Sequence, residues 1–257
     1  MTRTKNAISR RHLLKSGLLL AGGLILPSRA LATTQTTRTN VRLAMLVQIQ
    51  RLHESGLLEN AVRACHTAHN VPALPAPGPK EPDRRLDWIR LEPFPRVFPD
   101  QDPRFLPDPL RAATLPALCN HCDNPPCLRV CPTGATFQES DGRVGLDPHR
   151  CIGCRYCLAA CPYGARSFNF CDPRPFIANP VPSYPTRACG VVEKCTFCPE
   201  RLAHGLAPWC VEAAQGGIVF GNLHDPESAI RQHLARYPAL QRKAALGTGP
   251  AVYYAFI

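Results

Sequence analysis

Eight of the fourteen cysteines fall between Cys119 and Cys161, and no other feature limits the fold so strongly. The stretch reads CNHCDNPPCLRVCP, then a short polar segment, then CIGCRYCLAACP. Cys151, Cys154, Cys157 and Cys161, followed by Pro162, have the C-x-x-C-x-x-C-x-x-x-C-P spacing that holds iron–sulfur clusters. The first run, Cys119, Cys122, Cys127 and Cys131, has the same spacing with two extra residues between its second and third cysteines. Three closely spaced thiolates cap one face of an iron–sulfur cube, and the fourth points away toward a second cube. That exchange assigns Cys119, Cys122, Cys127 and Cys161 to one cluster (site A) and Cys151, Cys154, Cys157 and Cys131 to another (site B).

The N-terminus is expected to lie outside the fold. Ser9-Arg10-Arg11-His12-Leu13-Leu14-Lys15, an apolar run from Gly17 to Leu26 and the small residues Ala30-Leu31-Ala32 give a twin-arginine signal peptide over residues 1–32. The apolar run is about half the roughly 20 residues that a membrane-spanning helix needs. A signal of this kind fits the chemistry, because a cluster built in the cytoplasm crosses a membrane only inside a folded protein. The expectation is a periplasmic protein, peripheral to the inner membrane. The segment carries six basic residues and no acid, so removing it lowers the formal charge from +11 to +5. That is too little to call for a nucleic-acid partner.

Taken in order, Val41 to Ile49 reads as a strand and 56–69 as a helix stopped by Asn70 and Pro72. Residues 72–110 form a proline-rich segment expected to wrap a surface in extended form, anchored by Trp88, Phe94, Phe98 and Phe105. Ala135 to Gln138 and Arg143 to Leu146 flank Asp141-Gly142, a hairpin signal. Arg166 to Phe170 and Gly217 to Asn222 read as strands, with short helices at Glu200–His204 and Pro208–Ala214. Asp225 is the expected N-cap of a last helix, with Pro226 at its first position. The apolar tail 247–257 should dock on the protein or on a partner.

With these residues in place, the chain resembles, over 41–257, the ferredoxin-type electron-transfer subunits of membrane-bound polysulfide, tetrathionate, nitrite and dimethyl sulfoxide reductases. The resemblance implies an α+β fold of two bacterial-ferredoxin-like modules, one inserted in the other, with proline-rich loops. The inserted module would span 111–170, and the outer one 33–71 plus 190–225, with a loop at 171–189 and a C-terminal helix and tail at 226–257. Relatives carry an N-terminal cysteine run and a C-terminal C-x-x-C-x11-C-x-x-x-C-P run. Here Gln50 to Ala64 has no cysteine, and Ala214-Gln215 stands where Cys-Pro is expected. Under the exchange rule the missing positions belong to one cluster. The survivors, Cys195, Cys198, Cys210 and Cys65, make the complete ligand set of its neighbour (site C). The expectation is three 4Fe–4S clusters. The alternative for 195, 198 and 210 is a zinc site completed by a histidine such as His204, with Cys65 a small buried hydrophobe.

Arg166-Ser167-Phe168-Asn169-Phe170, Asp172-Pro173-Arg174-Pro175-Phe176-Ile177 and Gly190-Val191-Val192-Glu193-Lys194-Cys195 are similar to DsrO-type periplasmic subunits of the transmembrane complex that accompanies dissimilatory sulfite reductase. That resemblance implies an integral membrane quinone-reactive partner and a periplasmic multihaem cytochrome or catalytic redox subunit. The alternative is the electron-transfer subunit of a molybdopterin reductase acting on tetrathionate, polysulfide or a similar acceptor. Cys171 and Cys189 belong to no run. In an oxidising compartment they are candidates for a disulfide worth roughly 3 kcal/mol, with two unpaired thiols as the alternative. A cluster with four cysteine ligands offers a substrate no open iron. No G-x-G-x-x-G or C-x-x-C-H motif is present, so turnover of a substrate by this chain alone is not expected, and no catalytic residue is assigned. His66, His69 and His121 fit donors around the clusters better than ligands.

Overall fold

Strand β1 (Leu43–Gln48) sits inside a four-stranded sheet of order β8-β1-β10-β9. It runs antiparallel to β8 (Ile218–Asn222), with Met45 opposite Phe220, and parallel to β10 (Val252–Ala255), with Leu46 opposite Tyr253. Strand β9 (Ala239–Gln241) closes the edge against β10. A strand covered on both faces needs a nearly continuous apolar sequence, and LAMLVQ supplies one. Met45 and Val47 point into the main core. Ala44 and Leu46 point the other way, onto Ile230 of the helix Ala229–Arg236, as the two-residue period of a strand requires. The computed structural model describes residues 41–75, 84–101, 104 and 107–257. The expected signal segment 1–32 and the residues 33–40 lie outside the described residues, as does Phe105. No described helix is long and apolar enough to cross a membrane.

The helix expected over 56–69 runs from Leu57 to Ala68, with Leu58, Ala61 and Cys65 on its buried face. It is preceded by a helix at Ile49–Ser55 that the sequence pattern did not reveal. That helix is seven residues long and has no side-chain N-cap, too short to persist on propensity. Burial of Ile49 and Leu52 holds it in place. Gly56, at φ +63°, makes the left-handed corner between the two helices.

The proline-rich segment does more than wrap. Ile89–Pro93 forms β2, antiparallel to β3 (Thr114–Leu118). Trp88, Phe94 and Phe98 are buried in the main core. A two-stranded ladder tolerates Pro93 and Pro116 because each strand has a free edge. The hairpin forms as β4 (Thr136–Gln138) and β5 (Val144–Leu146), with Gly142 at φ +84° in the turn. Strand β6 (Ser167–Phe168) pairs with β7 (Val192–Glu193).

The last helix starts later than expected. Its N-cap is Ser228, while Asp225 folds into a preceding turn in which its Oδ1 accepts the Glu227 N–H at 2.9 Å. Nor is the tail an appendage. Besides supplying β10, it lies along the loop after β3, where Asp123 N donates to Gly249 O and Asn124 N to Thr248 O, both at 2.9 Å. Tyr254 is fully buried, and its hydroxyl donates to the Pro116 carbonyl at 2.8 Å, joining the sheet to β3. Tyr254→Phe should therefore cost about 1 kcal/mol, and Tyr254→Ala about 3–5 kcal/mol. Thermal unfolding of the cluster-loaded protein should rank the two variants in that order.

Candidate iron–sulfur centres

The cysteines are delivered by tight loops at the ends of short elements. Cys119 follows β3, Cys127 lies on the helix Pro126–Arg129, and Cys161 follows the helix Tyr156–Ala160. Together with Cys122 they line one small cavity. Cys131, Cys151, Cys154 and Cys157 line a second. Cys65, on the helix Leu57–Ala68, comes from the far end of the sequence to meet Cys195, Cys198 and Cys210. These last four are all buried. Each quartet thus takes three sulfurs from one stretch and a fourth from elsewhere.

The loops share a conformation. In the first C-x-x-C segment of each site the residue before the second cysteine has a left-handed backbone: His121 at φ +41°, Gly153 at +71° and Phe197 at +60°. Side chains adopt this region at a cost of about 1–3 kcal/mol, so two of the three positions hold it against their own preference. The His121 and Phe197 rings stack with centroids 3.7 Å apart, joining the loops of sites A and C. The rings leave no polar contact for His121 Nε2, while its Nδ1 accepts the Val144 N–H at 3.0 Å. Only at Gly153 is there no room for a side chain: a Cβ there would lie 2.4 Å from the Gly190 carbonyl oxygen.

Electrostatics fits multivalent cations among these sulfurs. Burial pushes the Cys122 thiol up to about 12, helped by neighbouring Cys119. Burial likewise raises Cys65 and Cys195, with Cys210 the next contributor to each. At Cys127 burial wins over the opposing pull of Arg166. Cys131 goes the other way: burial there is outweighed by hydrogen bonds from Thr136 and Thr133, and its thiol is lowered. Its Sγ accepts the Thr136 N–H at 3.5 Å. Thiolates crowded in fours, most of those at sites A and C away from water, require compensating positive charge. Arg166 supplies some of it and keeps a buried Nη2 without a hydrogen-bond partner beside the thiols.

Several of these residues carry no cysteine spacing to announce them. Arg166, Lys194 and Glu193 emerge only when the strands pair, although each lies within five residues of a cysteine. Glu193 accepts from Trp88 Nε1 at 2.9 Å and Asn169 Nδ2 at 2.6 Å, and pairs with Arg187 at 2.7 Å. His69 lies beside site C, with Nδ1 2.7 Å from the Cys65 carbonyl oxygen and Nε2 3.0 Å from Glu200 Oε1. Atoms of His69, Cys198 and Glu200 fall within 4.8 Å of one another. His204 is exposed. His66 Nε2 accepts from the Trp88 and Ile89 N–H groups, and burial lowers that imidazole to about 4. Cys171 and Cys189 are free and exposed in this structure, and Cys189 Sγ donates to the Phe170 carbonyl at 3.5 Å.

A family model described as a 4Fe–4S dicluster domain matches residues 110–171. The matched segment contains the quartets of sites A and B, and it makes this a 4Fe–4S-binding protein. Over 274 residues, covering 96% of this chain and 97% of the other, the chain is 37% identical to the Hdr-like menaquinol oxidoreductase iron–sulfur subunit 1 of Archaeoglobus fulgidus. It is 40% identical over 193 residues to protein NrfC of Escherichia coli, covering 74% of this chain and 71% of that one. It is 46% identical over 143 residues to a tetrathionate reductase chain of Salmonella typhimurium, a match that covers 54% of this chain and 50% of the other. The chain belongs to the family of iron–sulfur electron-transfer subunits of membrane-associated oxidoreductases.

The Gly153–Gly190 contact is a sensitive point of site B. Gly153→Ala should cost about 1–3 kcal/mol through overpacking and backbone strain. Iron should then leave the variant faster than the native protein when both are exposed to a chelator.

Proposed function

We propose that the chain carries three 4Fe–4S clusters, one on each quartet, and relays electrons between a quinone-reactive membrane subunit and a second redox subunit. The observation that carries this is the arrangement of the quartets in a row. Cys127 of site A packs in one apolar cluster with Cys157 of site B. Cys119 of site A shares the main core with Cys65, Cys195 and Cys210 of site C. Site A is therefore the middle member. The left-handed residue shared by the first C-x-x-C loop of each site favours the same group at site C as at the other two, rather than zinc. When bound, each cluster supplies one-electron redox chemistry. The protein sets its spacing, burial and hydrogen bonding.

The packing around Ala214 supports three clusters over four. The segment where the resemblance expects its cysteine loop is the helix Ile49–Ser55. Ile49 and Leu52 of that helix join Ala214 and Ile218 in the main core. Hydrocarbon fills the space, in keeping with an outer ferredoxin-like module reduced to one cluster.

The quinone-linked role is supported by the name of the Archaeoglobus relative, a menaquinol oxidoreductase subunit, which aligns along nearly its whole length. The DsrO-type motifs support placement in dissimilatory sulfur metabolism, and the twin-arginine segment supports export to the periplasm in folded form. The second reading, a molybdopterin reductase subunit, draws on the tetrathionate relative, but that match covers only 54% of this chain.

Iron and zinc content decides the cluster count. The purified protein should show a broad absorption at roughly 400 nm that bleaches on reduction, and about twelve iron atoms per chain. Cys65→Ser should lower iron toward about eight, while Ala214→Cys should leave it at about twelve. About eight irons with stoichiometric zinc in the native protein would sink the three-cluster reading.

A further inference from the structure

Two cationic side chains are sealed inside the molecule, and each lies in a gap of the relay. Arg166 follows the second Cys-Pro turn and is 4% exposed. It lines the cavity of site A with Cys127 and Cys161. Its Nη1 donates at 3.2 Å to Thr136 Oγ1, and Thr136 lines the cavity of site B. Lys194 immediately precedes Cys195 and is 1% exposed. Its Nζ donates to the carbonyl of Val144, which lines the cavity of site A, and at 2.9 Å to the carbonyl of Cys195 in site C. Neither cation is paired with a carboxylate among the described residues. The buried acid closest in sequence, Glu193, is engaged by Arg187, Trp88 and Asn169.

A buried charge without a counter-charge is strongly unfavourable. The countercharge available to Arg166 and Lys194 is the sulfur of the quartets. A 4Fe–4S group held by four thiolates is dianionic when oxidised and gains a further negative charge on reduction. A fixed positive charge nearby stabilises the reduced form more than the oxidised one and so raises the potential, the more so where little water intervenes. Site B has one such cation, site C has one, and site A has both. Solvent raises the potential of exposed site B in the same direction, but bulk water screens charge diffusely, whereas Arg166 and Lys194 act at close range in the dry interior.

We propose that Arg166 and Lys194 set the order of potentials along the relay, making the middle centre, site A, the first to be reduced. The two cations also separate neighbouring negative centres, easing the addition of a second electron. This inference rests on the three-cluster reading and concerns what that reading leaves open.

The test is an anaerobic redox titration of the full, cluster-loaded protein followed by electron paramagnetic resonance, with iron content measured for every variant. In the native protein the first signal to appear should broaden as each of the other two centres is reduced, because only the middle centre neighbours both. Arg166→Gln should shift that first signal and one other to lower potential. Lys194→Met should shift the first signal and the remaining one. Each shift should amount to at least a tenfold fall in the reduced-to-oxidised ratio at fixed potential, about 59 mV for a one-electron couple. Arg166→Lys and Lys194→Arg, which keep the charge, should hold the first signal within about threefold of native. That outcome separates charge from packing. A first signal that never broadens twice, or one that neither neutralising variant moves, overturns the proposal. If Arg166→Gln loses iron, the native broadening and the Lys194 pair decide alone. Iron near eight with zinc would defeat the three-cluster reading instead, leaving the Arg166 effect on sites A and B to be judged separately.

Discussion

Bringing sulfur together in sets of four is the constraint on which the rest of the structure depends. A quartet cannot be assembled by one tight loop, since a loop of this length presents three sulfurs to a point and the fourth must arrive from another part of the chain. Site A needs Cys161 from beyond the hairpin, site B needs Cys131 from before it, and site C needs Cys65 from more than a hundred residues away. These closures force long-range contacts onto a chain whose helices near the sites, the one that carries Cys65 apart, are four or five residues long. Helices so short have little stability of their own. The left-handed residues His121 and Phe197 add local strain that persists only where surrounding contacts over-determine it. Here the stacked pair is itself such a contact, because the two strained residues lean on each other.

The sheet and the tail can be understood as the brace for that arrangement. Asn120 O accepts from Ala251 N at 2.8 Å, and Ala251 O accepts from Met45 N at 2.9 Å, so one tail residue ties the site A loop to the central strand. Arg42, just before β1, donates to the His121 carbonyl at 2.7 Å and to the Gly142 carbonyl at 2.9 Å. On the other side, Glu193 gathers Arg187, Trp88 and Asn169, fastening the 171–189 loop and the proline-rich segment around site C. A buried network of this kind is favourable only when most of its members are satisfied. All three partners of Glu193 meet it within 3 Å.

What could be read in the sequence follows from how local each signal is. The C-x-x-C loops, the Asp141-Gly142 turn, strand β1 and the helix at 57–68 are set by residues a few positions apart, and spacing reveals them. The helix Ile49–Ser55 was not legible, because its stability comes from Leu52 and Ile49 packing on Ala214 and Ile218, a tertiary event. Prolines in 72–110 masked β2, since a strand with one free edge tolerates residues that a central strand excludes. Asp225-Pro226 looked like a helix start but closes a turn, and the helix begins where Ile230 can reach the core. The positions of Arg166 and Lys194 were the least legible. A lone basic residue beside a cysteine motif looks like surface until pairing of β6 with β7 carries both inward.

The two ends of the row of quartets differ in kind. At site B, Cys154 is exposed, and Ile152 and Tyr156 beside it are 66% and 62% exposed. Arg155 lies over the rings of Phe168 and Phe170 at the same end. Site C has no exposed sulfur. His69, beside Cys65, stacks on Trp88 and meets Tyr184 edge-on, and Tyr184, Glu200, Arg201 and Trp209 line a wide pocket. Site B thus reaches the surface through its own sulfur, while every sulfur of site C is covered by side chains. The first end presents exposed apolar and basic side chains, and the pocket near the second has aromatic, acidic and basic walls. Surfaces so unlike suit different neighbours, so on the three-cluster reading proposed above the two ends of the row are not interchangeable.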